Sequence, residues 1–461
     1  METGEYLRQI YNILENDPDE WYSAYEFIRN EYLTKRSEEE QTEAENEAER
    51  LMIRLADYSL SESEVRSALG ALKQQRRCCV LVCGVHAILD YLAGSYAEAL
   101  RQKGYEVLLL DYRVFDQSME NILTKAKKRI DFVLAFNNVG FILKKKDGTN
   151  YWEESGIPTY DLLVDHPMYY SDTLGEVAGS GTILCSDRMH PAYVKRFYPR
   201  IGKCCFLPTA GTSGKRFEEQ YSFSERPIDF LMIGSYKHRD LPEDPDALRI
   251  YRLLEEEPEL TMEEAAERVF DQSAATGEGD HTTALKNYIE QYRFVVMELT
   301  AHIREKLLLT LLQEGYRIEV YGDGWKCSRC CTMDGFSLHP PIPVDDGITI
   351  MSQAKFVLNN MAWFKDGGSE RVYNAMLQGA LVVTDRSRYL EKDYGDDSLI
   401  YYDANGMNEM LQRIRRLMNS DGKAADEMRE HAYRITEQRN RWIHRAEKLV
   451  QLHREMESEE R

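Results

Sequence analysis

Ala354 to Asp385 reads AKFVLNNMAWFKDGGSERVYNAMLQGALVVTD, and the fold turns on this stretch. Phe356, Val357 and Leu358 centre a short apolar run from Lys355 to Asn360, the pattern of a strand buried on both faces of a parallel sheet, and Ala380 to Thr384 repeats it. Between the two runs, Asp366-Gly367-Gly368-Ser369 breaks the pattern. Ser369 predicts the N-cap of a short helix in which Val372, Ala375, Met376 and Gly379 recur at i, i+3, i+4 and i+7, and Gly379 ends it. Tyr373 and Met376 are expected to pack in the core on that spacing. Open parallel sheets bind ligands beyond the carboxyl ends of their strands, where a helix N-terminus offers unpaired N–H groups and positive dipole potential to an anion. The Gly367 and Gly368 amides, Ser369 and the guanidinium of Arg371 are therefore expected to converge on a phosphate-type group.

A chain of 461 residues exceeds one ordinary core and predicts two domains of about 150 to 200 residues with helical additions. The net charge of −21 and pI near 5.1 speak against a broad basic surface, so neither nucleic acid nor an anionic membrane is an expected partner. No apolar stretch approaches the roughly 20 residues of a membrane span, and METGEYLRQI at the N-terminus lacks a signal pattern. A cytoplasmic protein without an integral membrane segment is expected. The nine cysteines fall mostly in apolar runs such as Cys78 to Cys83 and Cys204-Cys205, which suits a reducing compartment. Cys327-Ser328-Arg329-Cys330-Cys331 has metal-like spacing, but no second pair follows and His339 adds at most one ligand, so no metal is expected.

Residues 1–74 are rich in Glu and read as a helical N-terminal extension. From Cys78 the texture becomes alternating: strands at Cys78 to Gly84, Tyr105 to Leu110, Asp131 to Asn138, Thr159 to Val164, Thr182 to Cys185 and Cys204 to Leu207, with a helix over Ala93 to Lys103 and another opened by His190-Pro191. This is one Rossmann-like domain over 75–214. A second series starts at Ile228 to Gly234 and runs through Arg317 to Tyr321 to the opening stretch, giving a second Rossmann-like domain over 215–405. A Glu-rich helical insertion interrupts it at 241–300, within a helical stretch from Pro245 to about Glu314 that breaks near Gly277 to Asp280. Residues 406–461 form a helical tail in which Trp442 and Ile443 pack. The fold class is α/β, with the ligand cleft and its closure expected between the two domains.

Ile233-Gly234-Ser235, Val320-Tyr321-Gly322-Asp323-Gly324-Trp325, Leu358-Asn359-Asn360-Met361 and above all Phe364 to Met376 with Gly379-Ala380 resemble the bacterial GT-B glycosyltransferases of the CgeB-like, spore-maturation type. The resemblance covers about Ile228 to Asp403; in the first domain it consists of Asp165-His166-Pro167, similar to the Asp-x-Pro turn of that family. It implies two GT-B-type domains and transfer of a sugar from a nucleoside diphosphate donor to a protein or glycan hydroxyl, without metal or other cofactor. In the wider nucleotide-sugar group a Glu-x7-Glu pair brackets the donor, and its places fall here on Asp366 and Asn374, with Glu370 between them. Asn374 can still hydrogen-bond a ribose hydroxyl. A nucleotide-sugar epimerase and a non-catalytic nucleotide-sugar scaffold share this arrangement as alternatives.

Negative charge grows on a departing nucleoside diphosphate and calls for cations. Arg371 supplies one, and Lys237 and Arg239 after Gly234 stand at a neighbouring strand end, where a charged loop is otherwise simply solvated. Gly322 belongs to the same rim. On the acceptor side His86, Asn137 and Asn138, and Asp165-His166 follow strand ends. Asp165, His166 or His86 could take the acceptor proton, although a His before Pro also serves simply to bond a turn. Trp325 and Trp363 either stack on a base or sugar or are buried under their loops.

Overall fold

Short apolar runs alternating with amphipathic segments resolve into two parallel sheets. The computed structural model describes residues 77–84, 87–111, 130–141, 148–177, 181–238, 241, 243–273, 280–403 and 406–459. The helical extension expected over 1–74, most of the break near Gly277, His86 and Arg239 lie outside the described residues.

The first sheet contains β1 (Arg77–Cys83), β2 (Tyr105–Asp111), β3 (Ile130–Phe136), β4 (Thr159–Leu163), β5 (Thr182–Cys185) and β6 (Lys203–Phe206), in the order β2-β1-β3-β4-β5-β6. Its strands are buried on both faces, as Val80, Leu81, Val133, Leu134 and Leu162 show, because helices such as α1 (Ala87–Gln102) and α2 (His190–Phe197) cover it. Pro191, in the first turn, needs no N–H there, which is why α2 starts at His190. The second sheet contains β7 (Ile228–Ile233), β8 (Ile318–Tyr321), β9 (Phe336–His339), β10 (Ala354–Leu358), β11 (Leu381–Asp385) and β12 (Leu399–Tyr402), in the order β12-β11-β10-β7-β8-β9. Every pairing is parallel. The order reverses between β7 and β10, so the crevice of this sheet opens beside Gly234 and Asn359. Two Rossmann-like domains of six parallel strands each result, the α/β architecture expected from the sequence.

The inserted helices are α3 (Pro245–Glu256), α4 (Met262–Ser273), α5 (His281–Tyr292) and α6 (Phe294–Gln313), so the helical insertion continues past residue 300. Although it interrupts the second sheet, its Ile250, Leu254, Val269, Leu285, Ile289 and Val296 belong to the apolar cluster of the first domain. Polar ties reinforce that seat: Arg196 pairs with Glu267 at 2.6 Å, and Arg293 donates to the Met168 carbonyl and Ser171 Oγ. Short α7 (Glu370–Leu377) follows β10, and α8 (Asn408–Met418), α9 (Lys423–Arg439) and α10 (Trp442–Glu459) complete the tail. Trp442, Ala446, Leu449 and Val450 of α10 return to the first domain's core, and Tyr160 meets His453 there at 3.0 Å.

Two strands escaped the pattern of apolar runs. β9 is half-buried throughout, so Phe336-Ser337-Leu338-His339 carries no continuous apolar signal, whereas β12, as long as β5 and buried throughout, lies directly before the helical tail. Trp325, expected either to stack on a ligand or to be buried, is fully buried and donates from Nε1 to the Gly234 carbonyl at 2.8 Å. Tyr373 and Met376 are core residues, as expected.

Gly322 packs beneath Gly234: a Cβ on Gly322 would lie 2.4 Å from the Gly234 oxygen, and its φ of 155° is one that side-chain-bearing residues avoid. Gly322→Ala should therefore cost about 1–3 kcal/mol in urea unfolding. Gly94 sits in α1, where a Cβ would have nothing within 4 Å, so Gly94→Ala should instead gain about 0.5–1 kcal/mol in the same measurement.

Candidate functional site

The carboxyl ends of β4 and β7 meet α6 and the N-terminus of α7 around a cleft of about 380 Å³. Asp165, Tyr169, Gly234, Ser235, Lys237, Arg304, Trp363 and Arg371 line it, with Met297, Thr300 and Ala301. The first domain contributes Asp165 and Tyr169, α6 of the insertion contributes Met297, Thr300, Ala301 and Arg304, and the second domain supplies the rest.

Two guanidiniums stand side by side on the floor. Arg371 donates to Asn359 Oδ1 at 3.1 Å, and Arg304 donates to the Ser235 carbonyl at 2.5 Å. Neither forms an ion pair among the described residues, and the Nε of Arg304 is shielded from solvent without a partner. Desolvation lowers the pKa of Arg371, against the attraction of Glu370 and Asp385. Desolvation together with the neighbouring Arg371 pushes Arg304 down to about 10. A Cβ on Gly234 would lie 3.4 Å from Nη1 of Arg304 and 3.7 Å from Nη2 of Arg371, at a φ of 151°, so a glycine keeps both cations accessible. Another arginine pair, Arg226 and Arg429, marks the contrast. Those are spent on the carbonyls of Ala354, Gln378 and Tyr221 and on Asp426.

Asp165 lines the same cleft, within electrostatic reach of Lys237. Tyr170 donates to its Oδ2 at 3.0 Å, and burial raises its carboxyl pKa while the Tyr170 bond and the Lys237 charge hold it back. Glu370, within electrostatic reach of Asp165, is likewise raised by burial and opposed by Arg371. A partly desolvated carboxylate sharing a cleft with a cluster of cations can accept a proton while an anion is held there.

Several expected site residues are engaged elsewhere. His166 is turned away from the cleft: its Nδ1 accepts the Met168 amide at 3.1 Å, and its Nε2 lies 3.2 Å from Glu263 of the insertion. Its ring packs against His190 and Tyr193, so here the His before Pro bonds its turn. The glycine-rich loop joins the domains. Asp187 accepts the amides of Lys365 and Asp366 at 2.8 and 2.7 Å, the Gly367 amide goes to Ser387 Oγ at 3.1 Å, and Thr209 bonds the Gly368 carbonyl at 2.9 Å. A Cβ on Gly367 would lie 2.5 Å from the Ser186 oxygen. The expected delivery of the Gly367 amide to an anion is therefore corrected: that N–H already has an acceptor. Ser369 occupies the N-cap position without a capping bond, because its hydroxyl donates to Asn359 at 3.2 Å. The Asp366 carboxylate lies 3.3 Å from Arg188, and Asn374 Oδ1 accepts from the Thr212 amide and from Tyr91 at 2.8 and 3.2 Å. Gly322 supports the Gly234 loop from below.

Arg304 was not anticipated, since it lies within the Glu-rich stretch. Its signal was available: Met297, Thr300, Ala301 and Arg304 fall at i, i+3, i+4 and i+7, placing a cation at the end of an otherwise small and apolar stripe. In the cysteine cluster, Cys331 donates to the Trp325 carbonyl at 3.0 Å, and among the described residues no group of His, Cys, Asp or Glu is placed to hold a metal. No described helix is long and apolar enough to cross a membrane.

Residues 303–451 match a family model described as glycosyl transferase-like, a segment that contains Arg304 and Arg371. No curated protein matches the chain. Among solved structures, it is similar to an alpha-glucosyltransferase in complex with UDP-glucose and DNA containing an abasic site, at 13% identity over 82% of this chain and 99% of that one, TM-score 0.46. It is also similar to sucrose-phosphate synthase from Thermosynechococcus elongatus, at 12% identity over 83% and 100%, TM-score 0.43. A third is AviGT4, a glycosyltransferase involved in avilamycin A biosynthesis, at 14% identity over 82% and 97%, TM-score 0.42. The expectation that nucleic acid is no partner, drawn from the net charge, is corrected by these structures: the alpha-glucosyltransferase is in complex with DNA. Net charge over a whole chain does not report on one face of it.

Arg371→Met should leave the thermal midpoint of the ligand-free protein unchanged or higher, since it removes one of two repelling charges and Asn359 keeps Ser369 as a donor. The same variant should weaken binding of a nucleoside diphosphate about 10- to 100-fold by calorimetry, the worth of a charge-assisted bond. A second expectation concerns Asp161, whose carboxyl is pushed up to about 7 by burial, against the Asn138 amide. A raised carboxyl favours the fold below its unfolded pKa and loses that contribution as pH rises through about 7. The stability of Asp161→Asn relative to wild type should therefore improve from pH 5 to pH 8 in denaturant titrations.

Proposed function

We propose that this chain transfers a glycosyl group of hexosyl type from a nucleoside diphosphate sugar to an acceptor hydroxyl. Residues 75–214 form the acceptor side and 215–405 the donor side. One observation carries the reading: Arg304 and Arg371 lie together in the cleft, partly desolvated, with no carboxylate among the described residues paired to either. Like charges held so close favour a ligand with at least two negative charges, and a diphosphate supplies them. Lys237, exposed on the rim of the same cleft, adds a third cation.

In the reaction the bond from the anomeric carbon to the diphosphate oxygen breaks, and the two guanidiniums take up the charge that leaves with it. The acceptor oxygen attacks the anomeric carbon, and its proton passes to Asp165. Burial favours that step by raising the carboxyl's proton affinity. No resident cofactor is required in this scheme. The run from Phe364 to Met376 supports a place beside the CgeB-like proteins, and free thiols such as Cys185, Cys204 and Cys330 support a cytoplasmic setting.

The test is release of nucleoside diphosphate from a panel of UDP-, GDP-, ADP- and dTDP-sugars, with water as the fallback acceptor. At least one donor should be turned over, and Asp165→Asn should slow that turnover about 10²- to 10⁴-fold with donor affinity retained. Tight binding of a donor with no release, alone or with any acceptor hydroxyl, would show a binding protein instead.

A further inference from the structure

Behind Asp165 the first domain holds a backbone conformation that proteins normally avoid. Asn137 and Asn138, directly after β3, have φ values of 52° and 62°, the only non-glycine residues in the left-handed region among those described. Asparagine tolerates this region better than most residues, but two in succession persist only when their surroundings hold them.

The surroundings are polar and continuous. The buried carboxylate of Asp161 on β4 accepts the Asn138 amide through both oxygens, each at 3.0 Å. Asn138 Nδ2 donates to Thr173 Oγ1 at 2.7 Å, Thr173 donates to the Tyr170 carbonyl at 3.1 Å, and Tyr170 donates to Asp165. On the other side, Asn137 Oδ1 accepts the amide of Val164 at 2.9 Å, and the Asn137 amide bonds the Leu162 carbonyl at 3.1 Å. Asp165 is thus gripped twice, through its side chain by Tyr170 and through the preceding peptide by Asn137. The charged and titratable groups around Asp161 are Cys185 on β5 and Tyr170 in the turn after β4.

We infer that the Asp161-anchored turn at Asn137 and Asn138 positions Asp165, and that Asn137 and Asn138 are positioning residues for the proton-accepting step. The inference rests on Asp165 being the base, as proposed above. Core packing alone would not need these bonds: β3 and β4 are already paired through Val133 to Phe136. The turn's bonds instead end on the residue before Asp165 and on the tyrosine that holds it.

The experiment compares Asn137→Ala, Asn137→Asp, Asn138→Gly and Asp165→Asn in the full chain, using the donor sugar that is turned over and the matching nucleoside diphosphate. Asn137→Ala removes the acceptor of the Val164 amide and should lower kcat for donor turnover at least ten-fold, with diphosphate affinity within two-fold of wild type. Asn137→Asp keeps an acceptor oxygen and should restore kcat to within about three-fold. Asn138→Gly relaxes the backbone but cuts the link to Thr173, and should lower kcat without changing affinity; it decides the matter if Asn137→Ala does not fold. Wild-type kcat in Asn137→Ala or Asn138→Gly, alongside a slow Asp165→Asn, overturns the positioning role and leaves the base assignment standing. Equal losses of kcat and affinity in the turn variants also overturn it, since they mark a merely structural role. Wild-type turnover in Asp165→Asn overturns the base assignment itself.

Discussion

The two domains are tied together by the Asp187 carboxylate, at the end of one domain's sheet, which accepts two consecutive amides, those of Lys365 and Asp366, from the other. A carboxylate that receives two N–H groups is held in place more firmly than one exposed to water, and the backbones beside it come too close for any side chain at Gly367. The insertion adds a second tie on the far side of the cleft through Glu263 and His166, where burial alone would raise the Glu263 carboxyl but the imidazole holds it below its ordinary value. Asp165 and Arg371 line one cleft between the parts so joined.

Charge distribution inside the molecule separates structure from chemistry. Arg226 and Arg429 are as deeply placed as any arginine described, yet their N–H groups end on carbonyls and on Asp426, so they behave as cross-links that happen to carry charge. Arg304 and Arg371 have fewer bonds than donors. Buried polar groups are ordinarily satisfied, and groups left short of partners cluster where function requires them. The same logic reads the carboxylates: Asp187 is consumed by amides, whereas Asp165 has a single tyrosine and shares the cleft with the cations.

Much of this was legible in residue order. Apolar runs located ten of the strands described here, and the i, i+3, i+4 pattern from Val372 to Met376 found the sheet-facing side of α7. Arg371 and Asp165 were marked by position, in a first helical turn and at a strand end, and by the family resemblance of the runs that contain them. What escaped was long-range. Ser369 looks like a capping residue from its neighbours, but Asn359, ten residues away, claims its hydroxyl; Asn374 looks like a ligand group until Thr212 and Tyr91 arrive from another part of the chain. Arg304 was hidden by the charged composition around it, and only its helical stripe distinguishes it. Local periodicity reports which face of an element is buried, not which distant partner will bury it.

The interleaving of segments has a consequence for synthesis on the ribosome. The apolar centre of the first sheet is built partly from Ile250 to Leu299 and from Trp442 to Val450, which emerge long after β1 to β6. The amino-terminal half cannot reach its finished state while the rest is being translated, and its uncovered strands must wait for the last helix to arrive. Arrival of α10, not completion of either sheet, is therefore the event that closes the first domain's core.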